Sequence, residues 1–309
     1  MGGDVRHVPV LLKEVLEYLR PERGGLYFDG TLGDGGHSEA ILDAGVGVRV
    51  IGVDQDPEAL EVAARRLARF GERVNLVRAN FAEAAERVAE PLAGVLLDLG
   101  LSSRHLDVTG RGFSFRPGTP LDMRMAGRSA EDLPTAADLL NELPERELAD
   151  LFWRYGEERR SRRLAAEVVR RRSAQPFSVS DDLVSVLERV LGPRMGAQDK
   201  ARIFQALRIA VNDELGALER ALPVLRDHLE PGGVFVVLSY HSLEDRRVKD
   251  AFREWSRSCI CPPELPVCQC RGRPLGEVLT RKPVFATAEE VEANPRARSA
   301  RLRAWRKAA

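Results

Sequence analysis

The sequence predicts an α/β chain: a Rossmann-like, doubly wound parallel sheet with an inserted all-helical domain. Three observations carry this. Strand-like and helix-like stretches alternate through the first hundred residues. A glycine-rich turn separates the first strand from its helix. The alternation stops after residue 100, gives way to helices alone, and resumes near residue 200.

Residues 7–19 read as a helix opened by Pro9, with Val10, Leu11, Val15, Leu16 and Leu19 as its buried stripe. Leu26, Tyr27 and Phe28 begin the first strand, and Asp29 ends it. The turn that follows holds Gly30, Gly33, Gly35 and Gly36 before a helix that starts near Ser38 and carries Ala40, Ile41 and Leu42. The second strand spans residues 48–53 and ends at Asp54. Its helix, residues 58–69, turns Ala59, Leu60, Ala63, Ala64 and Leu67 inward. The third strand, residues 74–77, ends near Asn80 and Phe81, and a helix runs on to about residue 89. The fourth, residues 93–97, ends at Asp98. Residues 101–130 are too long for an ordinary loop and hold Phe113, Phe115, Met123 and Met125. Residues 135–196 are helical only. One long helix from residue 199 to about 229 precedes a fifth strand, Val234 to Leu238, which ends at Tyr240 and His241. A helix to Trp255 follows. Residues 278–280 and 283–286 are strand material, and residues 301–306 alternate as a final strand. The expected division is a discontinuous sheet domain, 1–110 and 200–309, around an inserted loop and helical domain, 111–199.

Lysine plus arginine and aspartate plus glutamate both number 47, so the net charge gives no general polyanion signal. No apolar run has membrane length and the start lacks a secretory pattern, so the expectation is a cytoplasmic protein with no membrane partner. Positive charge is concentrated locally. Residues 146–172 hold nine arginines against five acids, and Arg296, Arg298, Arg301, Arg303, Arg306 and Lys307 follow residue 294 with no acid among them. Guanidinium forks suit phosphate, although exposed helical arginines are commonly just a solvated face. Cys259, Cys261, Cys268 and Cys270 share one segment. Four thiols in such a chain point to a structural zinc ion before disulfides, with unpaired or oxidised thiols as the alternative.

Ligands of open α/β sheets bind beyond the carboxyl ends of the strands. Those ends carry Asp29, Asp54, Asn80 with Phe81, Asp98, and Tyr240 with His241. Asp54, some twenty residues after the glycine turn, is placed for ribose hydroxyls. Asn80 and Phe81 are placed to bond and flank an adenine. The turn lacks both the spaced glycines of a dinucleotide site and the Gly-Lys-Ser/Thr of a P-loop, and no lysine is placed for phosphate. An adenosine without a phosphate tail fits, which points to S-adenosylmethionine. Each acid singly is equally a helix N-cap.

The blocks Asp29-Gly-Thr-Leu-Gly-Asp-Gly-Gly-His37, Leu97-Asp-Leu-Gly-Leu-Ser-Ser103, Arg111-Gly-Phe-Ser-Phe115, Leu121-Asp-Met-Arg-Met125, Tyr155-Gly-Glu-Glu-Arg159, His241-Ser-Leu-Glu-Asp-Arg246 and Asn294-Pro-Arg-Ala-Arg-Ser299 stand in this order along nearly the whole chain. In this the chain resembles the RsmH (MraW) family of 16S rRNA cytosine-N4 methyltransferases. The resemblance implies a class I S-adenosylmethionine-dependent methyltransferase (Rossmann-like) sheet with an inserted all-helical domain that recognises substrate. It implies 16S rRNA of the small ribosomal subunit as partner. Methyl transfer to the exocyclic N4 of a cytidine in the decoding (P-site) region is the implied reaction. A non-catalytic rRNA-binding assembly factor and an amino-methylase of another nucleic acid are the alternatives.

Cofactor contacts carried over by the resemblance fall on Gly35, Gly36, His37, Asp54, Phe81 and Asp98. His105 stands where the family shows Gln, and Tyr240 where it usually shows Phe. Asp98 is the candidate catalytic acceptor for the N4 hydrogens. Phe113, Phe115 and Tyr240 are candidates to hold the flipped base. His241, Glu244 and Asp245 either orient that base or cap a helix. No catalytic metal is expected, because methyl transfer needs none.

Overall fold

The strand Gly25–Asp29 (β1) pairs in parallel with Val48–Asp54 (β2) on one side and with Leu92–Asp98 (β4) on the other. Val74–Arg78 (β3) lies beyond β2, and Leu229–Ser239 (β5) beyond β4, again in parallel. Arg301–Lys307 (β7) runs antiparallel to β5, and Gly276–Val278 (β6) antiparallel to β7. The order is β3-β2-β1-β4-β5-β7-β6. This is the Rossmann-like sheet the sequence predicts. Residues 92–97 are buried throughout, as a strand covered on both faces requires. From β1 the chain winds outward one way to β2 and β3, and the other way through β4 to β5. The crevice of such a sheet opens beyond the carboxyl ends of β1 and β4.

The computed structural model describes residues 9–101, 109–127, 132–262, 265, 267 and 269–309. It divides into two units, Met1–Gly100 with Gly216–Ala309, and Leu101–Leu215. In the first, Leu12–Leu19 (α1), Gly36–Asp43 (α2), Pro57–Leu67 (α3) and Phe81–Ala85 (α4) alternate with the strands. Ser242–Trp255 (α11) and Ala288–Ala293 (α12) follow β5. Phe235, Phe252, Trp255 and Trp305 form one aromatic cluster in the core, with Trp255 and Trp305 edge to face at 5.2 Å.

The second unit contains Ala136–Glu142 (α5), Glu145–Gly156 (α6), Ser161–Arg172 (α7), Ser180–Leu191 (α8) and Ala197–Asn212 (α9). Leu148, Phe152, Leu164, Val168, Leu187, Ile203 and Leu207 fill its centre. Because Ile203, Phe204 and Leu207 bury there, α9 belongs to the helical unit. The boundary thus falls at 101 and 215 where the sequence placed it at 111 and 199. The single helix expected from 199 to 229 is two. Asp213 takes a left-handed backbone (φ 47°), which ends α9 and starts Glu214–His228 (α10). At the other end, α1 begins at Leu12, not Pro9. Leu11 is itself left-handed (φ 51°), with its N–H given to Glu290 Oε1 at 2.6 Å.

The long segment after β4 is ordered over residues 109–127 by polar clamps. Asn212 accepts from Met125 N–H and donates to the Met123 carbonyl, both at 2.8 Å. Arg111 donates to the Met125 carbonyl (2.6 Å), and Arg124 forks onto Asp122. Phe113 is buried in the helical core. Phe115 is 37% exposed and meets Phe204 edge to face.

Much of the concentrated positive charge is structural. Arg172 donates to the carbonyls of Leu140 and Leu143 in the last turn and C-cap of α5, and Arg171 binds Asp182 at 2.6 Å. Arg303 is buried and forks onto Asp245, and Lys307 Nζ holds the carbonyls of Asp227 and Leu229. Arg172→Glu should therefore destabilise the helical unit by about 1–3 kcal/mol, read as a lowered urea midpoint. An unchanged midpoint would return Arg172 to the pool of ligand-facing cations.

Candidate functional site

The glycine turn is tied down donor by donor. Gly30 N–H goes to the Leu96 carbonyl of β4 (3.0 Å), Thr31 N–H to Asp29 Oδ1 (3.2 Å), and Leu32 N–H to the Val53 carbonyl of β2 (2.9 Å). Gly33 N–H goes to Asp54 Oδ2 (2.8 Å). The turn is therefore laced across the ends of three strands, and α2 starts directly above them. Gly35 needs its glycine for a left-handed backbone (φ 79°), and a Cβ on Gly36 would lie 2.6 Å from Pro9 Cγ. No side chain caps α2, so its first N–H groups favour an anionic group such as a carboxylate.

Asp29 is wholly buried and anchors this loop, accepting from Ser38 Oγ at 2.7 Å. Burial pushes its carboxyl up to about 6, against the hydrogen bonds and the nearby His37. The sign follows from linkage. The native state holds this proton more tightly than the unfolded chain, so the contribution of Asp29 to stability falls as pH rises from about 4 to 6. Asp29→Asn should remove that slope. The stability difference between wild type and variant should shift by up to about 3 kcal/mol between pH 4 and pH 7 in urea titrations. A pH-independent difference would show that Asp29 ionises normally.

Beyond the strand ends lie His37, Asp54 and Asp98. His37 is buried, with Nε2 3.0 Å from the Val10 carbonyl. A carbonyl can only accept, so Nε2 carries the proton and Nδ1 presents a lone pair. Burial, ahead of every other influence, lowers the tendency of His37 to protonate and keeps it neutral. Its Nδ1 stands 3.7 Å from Asp98 Oδ2. Two acceptors so close suit a positively charged or N–H-bearing group set between them.

Asp98 is 23% exposed at its side chain and is fixed on two sides. Its N–H is given to Thr31 Oγ1 (2.6 Å), and Oδ1 accepts from the Tyr240 hydroxyl (2.7 Å). Burial, then the Asp98 charge, raises the Tyr240 hydroxyl well above its usual value, so it stays a donor. Gly100 makes room for that ring, since a Cβ there would lie 2.8 Å from Tyr240 Cδ2. Asp54 accepts from Gly33 N–H and from Asp56 N–H (2.9 Å) at the end of β2.

The fold brings together Gly35, Gly36, His37, Asp54, Phe81 and Asp98. Phe81 lies under the turn, its Cβ 3.0 Å from where a Cβ on Gly30 would stand. His105 lies outside the described residues. Asn80 caps α4 through Ala82 N–H (2.9 Å), and Asp56 caps α3. Glu244 caps α11 by accepting Tyr240 N–H (2.8 Å), and Asp245 is spent on Arg303. Capping thus describes Asn80, Asp56 and Glu244, whereas Asp245 forms an ion pair instead.

Three participants escape the sequence reading: Thr31, the Val10 carbonyl that sets the His37 tautomer, and Glu290, whose charge acts on both His37 and Tyr240. Only Thr31 carried a signal, being a hydroxyl inside the glycine turn.

A family model described as the MraW methylase family matches residues 4–308. A Gemmatimonas aurantiaca protein named ribosomal RNA small subunit methyltransferase H is 54% identical over 307 residues, 98% of this chain and 95% of that protein. A protein of the same name from Heliobacterium modesticaldum is 51% identical over 311 residues, covering 97% and 98%. One from Geobacter sulfurreducens is 50% identical over 310 residues, covering 97% and 98%.

Proposed function

We propose, for a chain that belongs to the MraW methylase family, that this site is that of a 16S rRNA (cytosine-N4)-methyltransferase. The donor is S-adenosylmethionine and the target a cytidine in the decoding (P-site) region. The observation that carries the reading is the Asp98 carboxylate. It accepts from the Tyr240 hydroxyl at the end of β4, where Thr31 takes the Asp98 backbone N–H, and is faced by the Nδ1 of His37.

The residues fit the donor part by part. Asp54 ends β2, where an open α/β site places ribose hydroxyls, Phe81 floors the turn, the uncapped start of α2 suits a carboxylate, and His37 with Asp98 suits an ammonium group. When bound, S-adenosylmethionine supplies a methyl group already activated by its sulfonium, so the work left to the protein is placement. The N4 lone pair of cytosine is delocalised into its ring. Asp98, accepting from the N4 hydrogens, draws that amine toward a pyramidal nucleophile and receives the positive charge that develops on it. Tyr240 holds the carboxylate in position for this and keeps one oxygen occupied.

The helical unit is the candidate RNA-recognition element. Arg146, Arg154, Arg159 and Arg162 are exposed there, and Phe115 offers a partly open aromatic face. Replacing those four arginines by glutamine should weaken small-subunit RNA binding and flatten its salt dependence. Unchanged affinity and slope would remove the helical unit from phosphate contact. No helix among the described residues is long and apolar enough to cross a membrane. The cytoplasm, where small subunits mature, is the compartment this reading implies.

The decisive experiment incubates small ribosomal subunits lacking the modification with methyl-labelled S-adenosylmethionine and identifies the labelled nucleoside. N4-methylcytidine in the decoding region is expected. A different methylated nucleoside would falsify the reaction assigned, and binding without product would favour an assembly factor.

A further inference from the structure

The segment between α11 and β6, residues 256–275, contains neither helix nor strand among its described residues. It is too long to be an ordinary connection. Its ends are pinned together. Leu275 N–H donates to the Trp255 carbonyl (2.8 Å), and Arg271 donates to the carbonyls of Glu254 (2.6 Å) and Arg257 (3.3 Å). Between those pins none of the described residues joins a hydrophobic core. Ile260 is 42% exposed and Val267 69% exposed.

Yet the segment gathers three thiols. The Sγ atoms of Cys259, Cys261 and Cys270 all lie within 4.8 Å of one another. Cys259 and Cys270 are 3.8 Å apart. A tetrahedral zinc site with Zn–S bonds of about 2.3 Å has sulfur–sulfur edges of about 3.8 Å. A disulfide requires about 2.0 Å. Cysteines that serve as small apolar side chains are buried, whereas Cys259 is exposed and the other two are half-exposed. Burial therefore does not explain why they meet.

Two backbone donors are aimed at the sulfurs. Ile260 N–H points to Cys270 Sγ and Gln269 N–H to Cys261 Sγ, each at 3.3 Å. Each bond joins one Cys-x-Cys pair to the other, so the two halves of the segment are crossed over a shared centre. Backbone N–H contacts of this kind are the outer-shell contacts that orient sulfur ligands around a metal.

We propose that Cys259, Cys261 and Cys270 bind a structural zinc ion that stands in for the missing core of this segment. Binding displaces the thiol protons to solvent, and the coordination energy orders the segment. The ion takes no part in methyl transfer. The site rests on the three described thiols; Cys268 lies outside the described residues.

The test uses the full-length protein purified with reductant and without chelator. Elemental analysis should find about one zinc per chain. Exchange of zinc for cobalt(II) should give the thiolate-to-metal charge-transfer absorption and intense visible bands of a tetrahedral sulfur site. Cys259→Ser and Cys270→Ser should each lose most of the bound metal. Chelation of the wild type should open the segment to trypsin at Arg257, Arg271 and Arg273, while cofactor binding is kept. Protein that contains no zinc and, after anaerobic reduction and cobalt addition, shows no thiolate absorption would overturn the proposal. Zinc retained in full by the triple variant Cys259→Ser, Cys261→Ser, Cys270→Ser would overturn it too, by placing the ion elsewhere. The cobalt spectrum is read on the wild type, so a variant that misfolds leaves the test standing.

Discussion

Asp98→Asn is expected to lower kcat by about 10²- to 10⁴-fold, the range associated with losing a positioned proton acceptor. The substitution keeps the shape of the side chain. The amide oxygen still accepts from Tyr240, and the backbone N–H still reaches Thr31. What disappears is the negative charge that would meet the amine as it becomes positive. The loss at the N4 amine belongs to the transition state, whereas the loss at the cofactor's ammonium group is shared with His37, so kcat should fall more than cofactor affinity. Single-turnover methylation of small subunits measures the first quantity, and calorimetric titration with S-adenosylhomocysteine the second. Retained turnover would remove Asp98 from the chemistry. A parallel loss of binding and turnover would make it a cofactor ligand only. Tyr240→Phe separates positioning from chemistry. Losing that hydroxyl leaves the carboxylate unpositioned, so kcat should fall while affinity for S-adenosylhomocysteine is kept.

Asp54→Ala should weaken cofactor binding by about 10²-fold or more, because charge-assisted hydrogen bonds are worth about 1.5–3 kcal/mol each. Two losses coincide at this residue. The acceptor pair proposed for ribose hydroxyls goes, and so does the anchor that draws Gly33 N–H onto the end of β2. Asp54→Asn tells them apart. Its amide oxygen can hold Gly33 but offers fewer acceptor positions, so it should recover loop order and only part of the affinity. Calorimetry on both variants is the measurement. Equal affinity in wild type and Asp54→Ala would assign the carboxylate to loop support alone.

The strands and their polar ends were readable because their signals are local. Short apolar runs of β-branched, aromatic and aliphatic residues bounded by turn residues give β1 to β5, and a strand end is by definition where a loop can meet a ligand. His37, Asp54 and Asp98 followed from that arithmetic and from the motif blocks. The helix break at Asp213 was not readable. An aspartate continues a helical pattern in sequence, and only the packing of Ile203 and Phe204 into a separate core makes it a terminus. The basic tail misled for a related reason. Alternation in residues 301–306 announces a strand, but nothing in the sequence says that Asp245, nearly sixty residues earlier, waits to neutralise Arg303. The tautomer of His37 is decided by a backbone carbonyl, and backbone carbonyls are the same at every position of a sequence.

The place of β7 bears on how the protein comes off the ribosome. β7, the last strand in chain order among the described residues, is an interior strand, flanked by β5 and β6. Until it is synthesised, β5 presents an unsatisfied edge of Val234, Phe235, Val236, Val237 and Leu238, and β6 has nothing to pair with. A nascent chain that stalls before Arg301 is therefore left with a sticky apolar template, of the kind that recruits chaperones or aggregates. Products of premature termination carry an edge by which proteolytic surveillance can distinguish them from finished protein.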